Sequence, residues 1–268
     1  MIHKLANVNP DAKIGNQVTI DAFASIDKNV EIGDGTIIMP NAVILDGARI
    51  GKNCIVFPGA VVSAVPQDLK FKGEETTTII GDNTTIRECA TINRGTYAKG
   101  STKIGNNCLV MSYVHIAHDC IVGNNVILVS YTGLAGEVEV DDFAILGGGT
   151  RVHQFVRIGC HTMIGGNGVV RKDVPPYIRA SRDPLSFVGI NSIGLRRRQF
   201  EPEKIKLIQD MYRIIFQSGM NNTNALHYIM ETYEPCAERE EVVNFVKKSK
   251  RGILKGYTGV VSGDEEDD

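Results

Sequence analysis

Aliphatic residues recur every six positions along much of this chain. From Val8 the series runs Ile14, Ile20, Ile26, Ile32, Ile38, Ile44, Ile50, Val56 and Val62. It resumes at Ile80, Ile86 and Ile92, then runs from Ile104 through Val110, Ile116, Val122, Leu128, Leu134, Val140, Leu146, Val152, Ile158 and Ile164 to Val170. Glycine often follows the aliphatic residue, as at Gly15, Gly33, Gly51 and Gly123, and a small residue tends to sit four after it, as at Ala24, Ala42, Cys54 and Cys120. A period of six is neither the two of a paired strand nor the 3.6 of a helix. It fits a short extended segment plus a corner, where Gly and Asn tolerate unusual backbone angles. Three such segments close a triangle, so residues three hexads apart stack as parallel strands about 4.8 Å apart. The aliphatic residue then points inward, and each coil depends on its neighbours for burial. The expected architecture is mainly β, a hexapeptide-repeat β-helix over residues 1–190.

Two stretches break the repeat, 63–79 and 95–103. A solenoid can eject such loops without disturbing its stack, and ejected loops tend to carry function. The first contains Gln67, Asp68 and Lys70, groups suited to sugar hydroxyls or phosphate, although a solvated loop would look the same. After Pro175-Pro176 the hexads stop. Residues 177–191 read as an irregular connection. A helical domain follows over 191–268, with helices expected at Ser192–Arg198, Glu201–Gln217, Asn224–Tyr233 and Glu238–Lys250. The acidic run Asp264–Asp268 reads as a disordered tail.

Composition narrows the setting. The formal charge of -2 argues against a dedicated nucleic-acid binder. No apolar run approaches the roughly 18 residues of a membrane span, and the N-terminus carries no signal-peptide core, so a cytoplasmic location is expected. The six cysteines are scattered without a C-x-x-C pair and read as small buried residues. The run Arg196-Arg197-Arg198 is either a solvated helix face or a site for phosphate or an acidic partner, because arginine forks suit phosphate.

Four of the six histidines, His115, His118, His153 and His161, fall on neighbouring coils, none at a ladder position. They are expected at outward faces or corners, sharing one site. Three converging neutral imidazoles would make a metal site. One histidine oriented by a carboxylate such as Asp119 would make a base. Spacing does not separate the two.

The ordered motifs QDLK, IRE, RGT, HIAHDC, LAG, VEVDDFAILGG, VHQF, KDVPPY and GLRRR resemble the UDP-N-acetylglucosamine acyltransferases of lipid A biosynthesis, over nearly the whole chain. The resemblance implies a left-handed β-helix. It further implies transfer of an R-3-hydroxyacyl chain from acyl carrier protein to the 3-hydroxyl of UDP-N-acetylglucosamine by a homotrimer, without metal or organic cofactor. Carried over by position, His118 would be the general base, Asp119 its orienting carboxylate and the Gly136 amide the oxyanion donor. His115, His153 and Gln154 would line the sugar and acyl pocket. Gln67, Asp68 and Lys70 would belong to the substrate site, with Asp68 and Lys70 reaching it from an adjacent subunit. Asn191, Arg197 and Arg198 would hold nucleotide or phosphate. Gly166 would close the acyl groove, and its missing side chain implies a long chain of about 14–16 carbons, since pockets discriminate methylenes. The acidic carrier would be steered by Arg196–Arg198. The sequence departs from the family pattern at Glu137 and Asn93, where many members have histidine, and at Ile193, an acidic position.

Other readings compete with this one, among them a non-catalytic scaffold in which the hexads only provide a rigid prism. An N-acyltransferase acting two steps later usually has an extra N-terminal domain, whereas the hexads here begin by Val8. A zinc enzyme of the gamma-class carbonic anhydrase type would use the histidines as ligands, and a zinc assay distinguishes it.

Overall fold

The structure, a computed structural model, describes residues 1–256; the acidic run at 264–268 lies outside them. Short strands collect into three sheets of nine, eight and ten strands, the strands of the repeat pairing with ones a full coil away. Ser25 faces Val43 and Ile26 faces Ile44 in parallel register. The aliphatic ladder is buried from Ile20 to Val170. Val8 and Ile14, in the first coil, are only partly buried because no coil precedes them. The result is the parallel β-helix that the period of six demands.

The corners explain the other half of the hexad. At most corners the third residue after the ladder position takes a positive φ, as at Gly35 (70°), Asn41 (61°), Asn53 (54°) and Asn107 (55°). Gly and Asn accept this left-handed conformation at least cost. The small residue that follows, such as Ala42 or Cys54, is wholly buried inside the corner.

The three outer faces differ. On the eight-stranded sheet the outward residues are mostly charged, and Lys13 pairs with Glu31 at 2.9 Å and Arg157 with Glu139 at 3.4 Å. On the ten-stranded sheet the outward residues include Ile37, Ile55, Leu109, Ile127, Ile145 and Met163, none of them buried in the single chain.

Both interruptions leave at one corner. They join Val61–Ala64 to Thr77–Ile80 and Thr91–Asn93 to Ser101–Ile104, each time passing from the nine-stranded to the eight-stranded sheet. The loops are therefore 65–76 and 94–100 instead of 63–79 and 95–103. The flanking strands run past their hexads because Thr77 and Thr78 pair with Ser101 and Thr102. The insertions keep the ladder in phase: contacts between successive coils span 30 residues across the first loop and 24 across the second, against 18 elsewhere.

Residues 177–191 are not irregular. Ile178–Ser181 and Ser186–Ile190 form an antiparallel hairpin that extends the ten-stranded sheet. The prolines around it suggested a break, yet Ile178 and Ala180 alternate inward with period two. Four helices follow: α1 (Ser192–Arg197), α2 (Pro202–Gln217), α3 (Asn222–Thr232) and α4 (Ala237–Lys248). Helix α2 buries Ile205, Ile208, Met211, Tyr212 and Ile215, the stripe its periodicity marks. The Tyr212 hydroxyl donates to the carbonyl of Pro176 at 2.6 Å, fastening the helices to the end of the prism. No helix among the described residues is long and apolar enough to cross a membrane.

Candidate active site

The corner that ejects both loops next carries Ala117, His118 and Asp119, so two loops and a histidine follow one another along one edge of the prism. His118 is buried and Asp119 has no exposure at all. The His118 Nδ1 lies 2.9 Å from Asp119 Oδ2. A carboxylate only accepts, so Nδ1 carries the proton and Nε2 presents its lone pair to the cleft. Asp119 is held further by the second loop. The Thr96 hydroxyl donates to Oδ2 at 2.6 Å, and the amides of Thr96 and Lys99 donate to Oδ1 at 2.9 and 3.2 Å. Its own amide donates to Thr102 Oγ1 at 2.8 Å. A buried carboxylate needs such donors to remain charged.

Gly136 stacks on the histidine from the next coil. A Cβ there would lie 2.6 Å from both Cε1 and Nε2 of His118, so only glycine admits the ring. Among the described residues the Gly136 amide makes no hydrogen bond, which leaves a donor beside Nε2. A cleft of about 700 Å³ opens here, lined by Asp68, Lys70, Thr96, His118, Glu137 and Gln154, with Tyr97 and Phe155 among its other walls. Asp68 Oδ2 is 3.9 Å from the His118 Nε2 of the same chain. The first loop therefore reaches the histidine of its own chain, where the resemblance implied an adjacent subunit, because it leaves the prism at the edge where His118 sits.

The remaining residues lie elsewhere. His115 projects from the nine-stranded sheet with Nδ1 2.8 Å from Thr91 Oγ1, and partial burial lowers its pKa. His153 is exposed, its Nδ1 3.1 Å from the Gln154 carbonyl. Gln67 is exposed on the first loop. His161 is stacked between Phe143 and Tyr177 with Phe200 edge-on. His161 stands apart, at the corner between the eight- and ten-stranded sheets, whereas His115, His118 and His153 lie on or beside the nine-stranded sheet. Among the described residues no three His, Cys, Asp or Glu side chains group as metal ligands.

A second cavity, of about 590 Å³, opens against α1 and is lined by Met163, Arg179, Asn191, Ile193, Arg197 and Arg198, among others. Asn191 is buried as the cap of α1; its side chain accepts from the Gly194 amide and donates to the His161 carbonyl. Arg198 lies over the Phe143 ring at 5.2 Å and donates to the Phe143 carbonyl, and burial lowers its pKa. Arg196 and Arg197 are exposed, so the arginine run divides into two free side chains and one packed one. Gly166 is nearby, and a Cβ on it would meet the Gly148 carbonyl at 3.3 Å. Of the departures, Glu137 lines the first cleft and Ile193 the second. Asn93 is buried, donating to the Val65 carbonyl at 3.0 Å while its Oδ1 has no partner among the described residues.

Thr96, Tyr97 and Phe155 were missed from sequence. For Phe155 a signal was available: it takes the corner position of its hexad, with φ at 65°, where Asn or Gly is the low-cost choice.

Comparison with known proteins agrees with this geometry. Residues 173–254 match domain 2 of the Udp N-acetylglucosamine O-acyltransferases, and residues 29–64 and 101–136 match the bacterial transferase hexapeptide repeat. An acyl-carrier-protein–UDP-N-acetylglucosamine O-acyltransferase of Aliarcobacter butzleri is 45% identical over 253 residues, covering 94% of this chain and 97% of that one. The crystal structure of a UDP-N-acetylglucosamine acyltransferase from Bacteroides fragilis superposes with a TM-score of 0.94 at 51% identity, over 95% of this chain and all of that one. One from Francisella novicida gives a TM-score of 0.94 at 42% identity, over 96% of this chain and 95% of that one. With matches of this identity along nearly the full length, the chain belongs to the UDP-N-acetylglucosamine O-acyltransferase family.

Proposed function

We propose that this chain transfers an R-3-hydroxyacyl group from acyl carrier protein to the 3-hydroxyl of UDP-N-acetylglucosamine, the first step of lipid A biosynthesis, with His118 as general base. The observation that carries the reading is the buried His118–Asp119 pair, with Nδ1 tied to the carboxylate and Nε2 facing a cleft. Nε2 takes the proton of the sugar hydroxyl as its oxygen attacks the thioester carbon. The Gly136 amide receives the tetrahedral oxyanion, and Asp119 stabilises the imidazolium. Collapse expels the carrier's thiolate, which takes the proton back from His118. This sequence needs no metal or organic cofactor, because histidine alone supplies and returns the proton.

The first cleft holds the reacting sugar, with Asp68, Lys70 and Gln154 about it and His115 and His153 on the flank. Asn191, Arg197 and Arg198 hold the nucleotide or its phosphates at the second cavity. In one chain the cleft sits at the corner between the nine- and eight-stranded sheets, whereas the second cavity opens beside the ten-stranded one. The apolar outer face around Ile127 and Ile145 supports a homotrimer that covers it and brings one copy's cavity to the next copy's cleft. Exposed Arg196 and Arg197 suit an acidic carrier protein. The test is turnover of the purified protein with UDP-N-acetylglucosamine and a panel of 3-hydroxyacyl carrier proteins; no transfer to the sugar with any chain length would overturn the reading.

A further inference from the structure

We propose that Thr96 is a positioning residue for this acyl transfer. From the second loop it fixes Asp119, and through Asp119 it holds His118 in one tautomer and one ring orientation. The inference rests on the assignment of His118 as base. Three of the donors to the Asp119 carboxylate come from residues 96–99, and only one of the three is a side chain. That one, the Thr96 hydroxyl, shares Oδ2 with the His118 Nδ1–H. The two amides follow from the loop's fold and hold Oδ1; the hydroxyl alone fixes the oxygen that orients the imidazole.

The loop is built rigidly around that contact. Thr96 is buried, and its hydroxyl oxygen accepts from the Ala98 amide at 3.2 Å. Its carbonyl accepts from Gly100 at 2.7 Å. Thr76, at the end of the first loop, donates its hydroxyl to the Gly95 carbonyl at 2.6 Å. Lys99 Nζ pairs with Glu139 at 3.1 Å. The extra hexad at this corner thus closes a lid of donors over a carboxylate that the bare repeat would leave facing solvent. A fixed carboxylate matters because a base misplaced by about 1 Å can lose about 10²-fold in rate.

Thr96→Val keeps the shape and removes the hydroxyl. The expected result is a kcat about tenfold lower with both KM values within about twofold, since a positioning loss acts on the step and not on binding. With the hydroxyl gone, Oδ2 gives more of its charge to the imidazolium. The acid limb of the kcat/KM profile should therefore move up by about half a pH unit. Thr96→Ser should restore both quantities. Thr96→Ala, which forces no branched side chain into the site, is the second variant should the valine fail to fold, with the same expectations. A kcat within twofold of wild type and an unmoved acid limb would overturn the proposal, as would a loss that serine does not rescue. His118→Ala is run in parallel: if it keeps turnover, the base assignment fails, whereas if it loses turnover and the Thr96 variants do not, only the role of Thr96 falls.

Discussion

His118 and His161 occupy corners of the same prism and end in opposite chemistry. At the first, a neighbouring buried carboxylate holds Nδ1, a glycine leaves room above the ring, and Nε2 faces a cleft. At the second, the ring is stacked between Phe143 and Tyr177, Arg198 lies near, and the buried Nδ1 has no partner among the described residues. Burial first, and Arg198 second, push the His161 pKa down to about 4. One corner leaves a ring nitrogen facing a cleft, and the other encloses its ring among aromatic side chains. The difference lies not in the hexad but in what the chain inserts beside it: loops and Gly136 at one corner, aromatic residues and α1 at the other.

The largest break in this comparison should come at His118. His118→Ala should lower turnover by about 10²–10⁴-fold with the fold intact, measured by steady-state kinetics and thermal unfolding; near-normal turnover would remove it as the base. Gly136→Ala tests the space above the ring. Its Cβ would stand 2.6 Å from Nε2, so the imidazole must move, and turnover should fall by about 10²-fold with little change in the unfolding midpoint.

His161 should show its character in stability. Its pKa is lower folded than unfolded, so the unfolded chain binds more protons between about pH 6.5 and about 4. Stability from this site is present above pH 6.5 and is lost as pH falls through that window. His161→Phe keeps a stacking ring and should flatten the slope of denaturation midpoints there; an unchanged slope would show that the ring does not titrate as its surroundings imply. The smallest effect concerns selectivity. Gly166→Met should shift preference towards shorter acyl chains by roughly tenfold, as a few methylenes allow, and unchanged preference across the carrier-protein panel would remove Gly166 as the ruler.

The fold was legible because its signal is one-dimensional. An aliphatic residue every six positions has one way to be buried in a solenoid, so the inward series from Ile20 to Val170 could be read before any coordinates. The hairpin at 178–190 was hidden, because prolines flank a strand too short for its period of two to stand out. At the site, the resemblance attached expected roles to His118, Asp119 and Gly136, whereas Thr96 stood in the RGT motif with no role attached. It lies 23 residues from Asp119, and nothing local says that a loop will fold back over that carboxylate. Grouping His161 with the other three by coil number missed its separate corner for the same reason, since coil number says nothing about which face or corner a side chain takes.

By itself, then, the sequence determined which residues point inward and where the prism is interrupted, because burial in a repeating coil is set by neighbours at fixed spacing. Only the tertiary structure decided which corner histidine faces a cleft and which is enclosed by aromatic rings. Protonation depends on burial, on donors brought from distant loops and on the space a missing Cβ leaves, none of which is a property of the local chain.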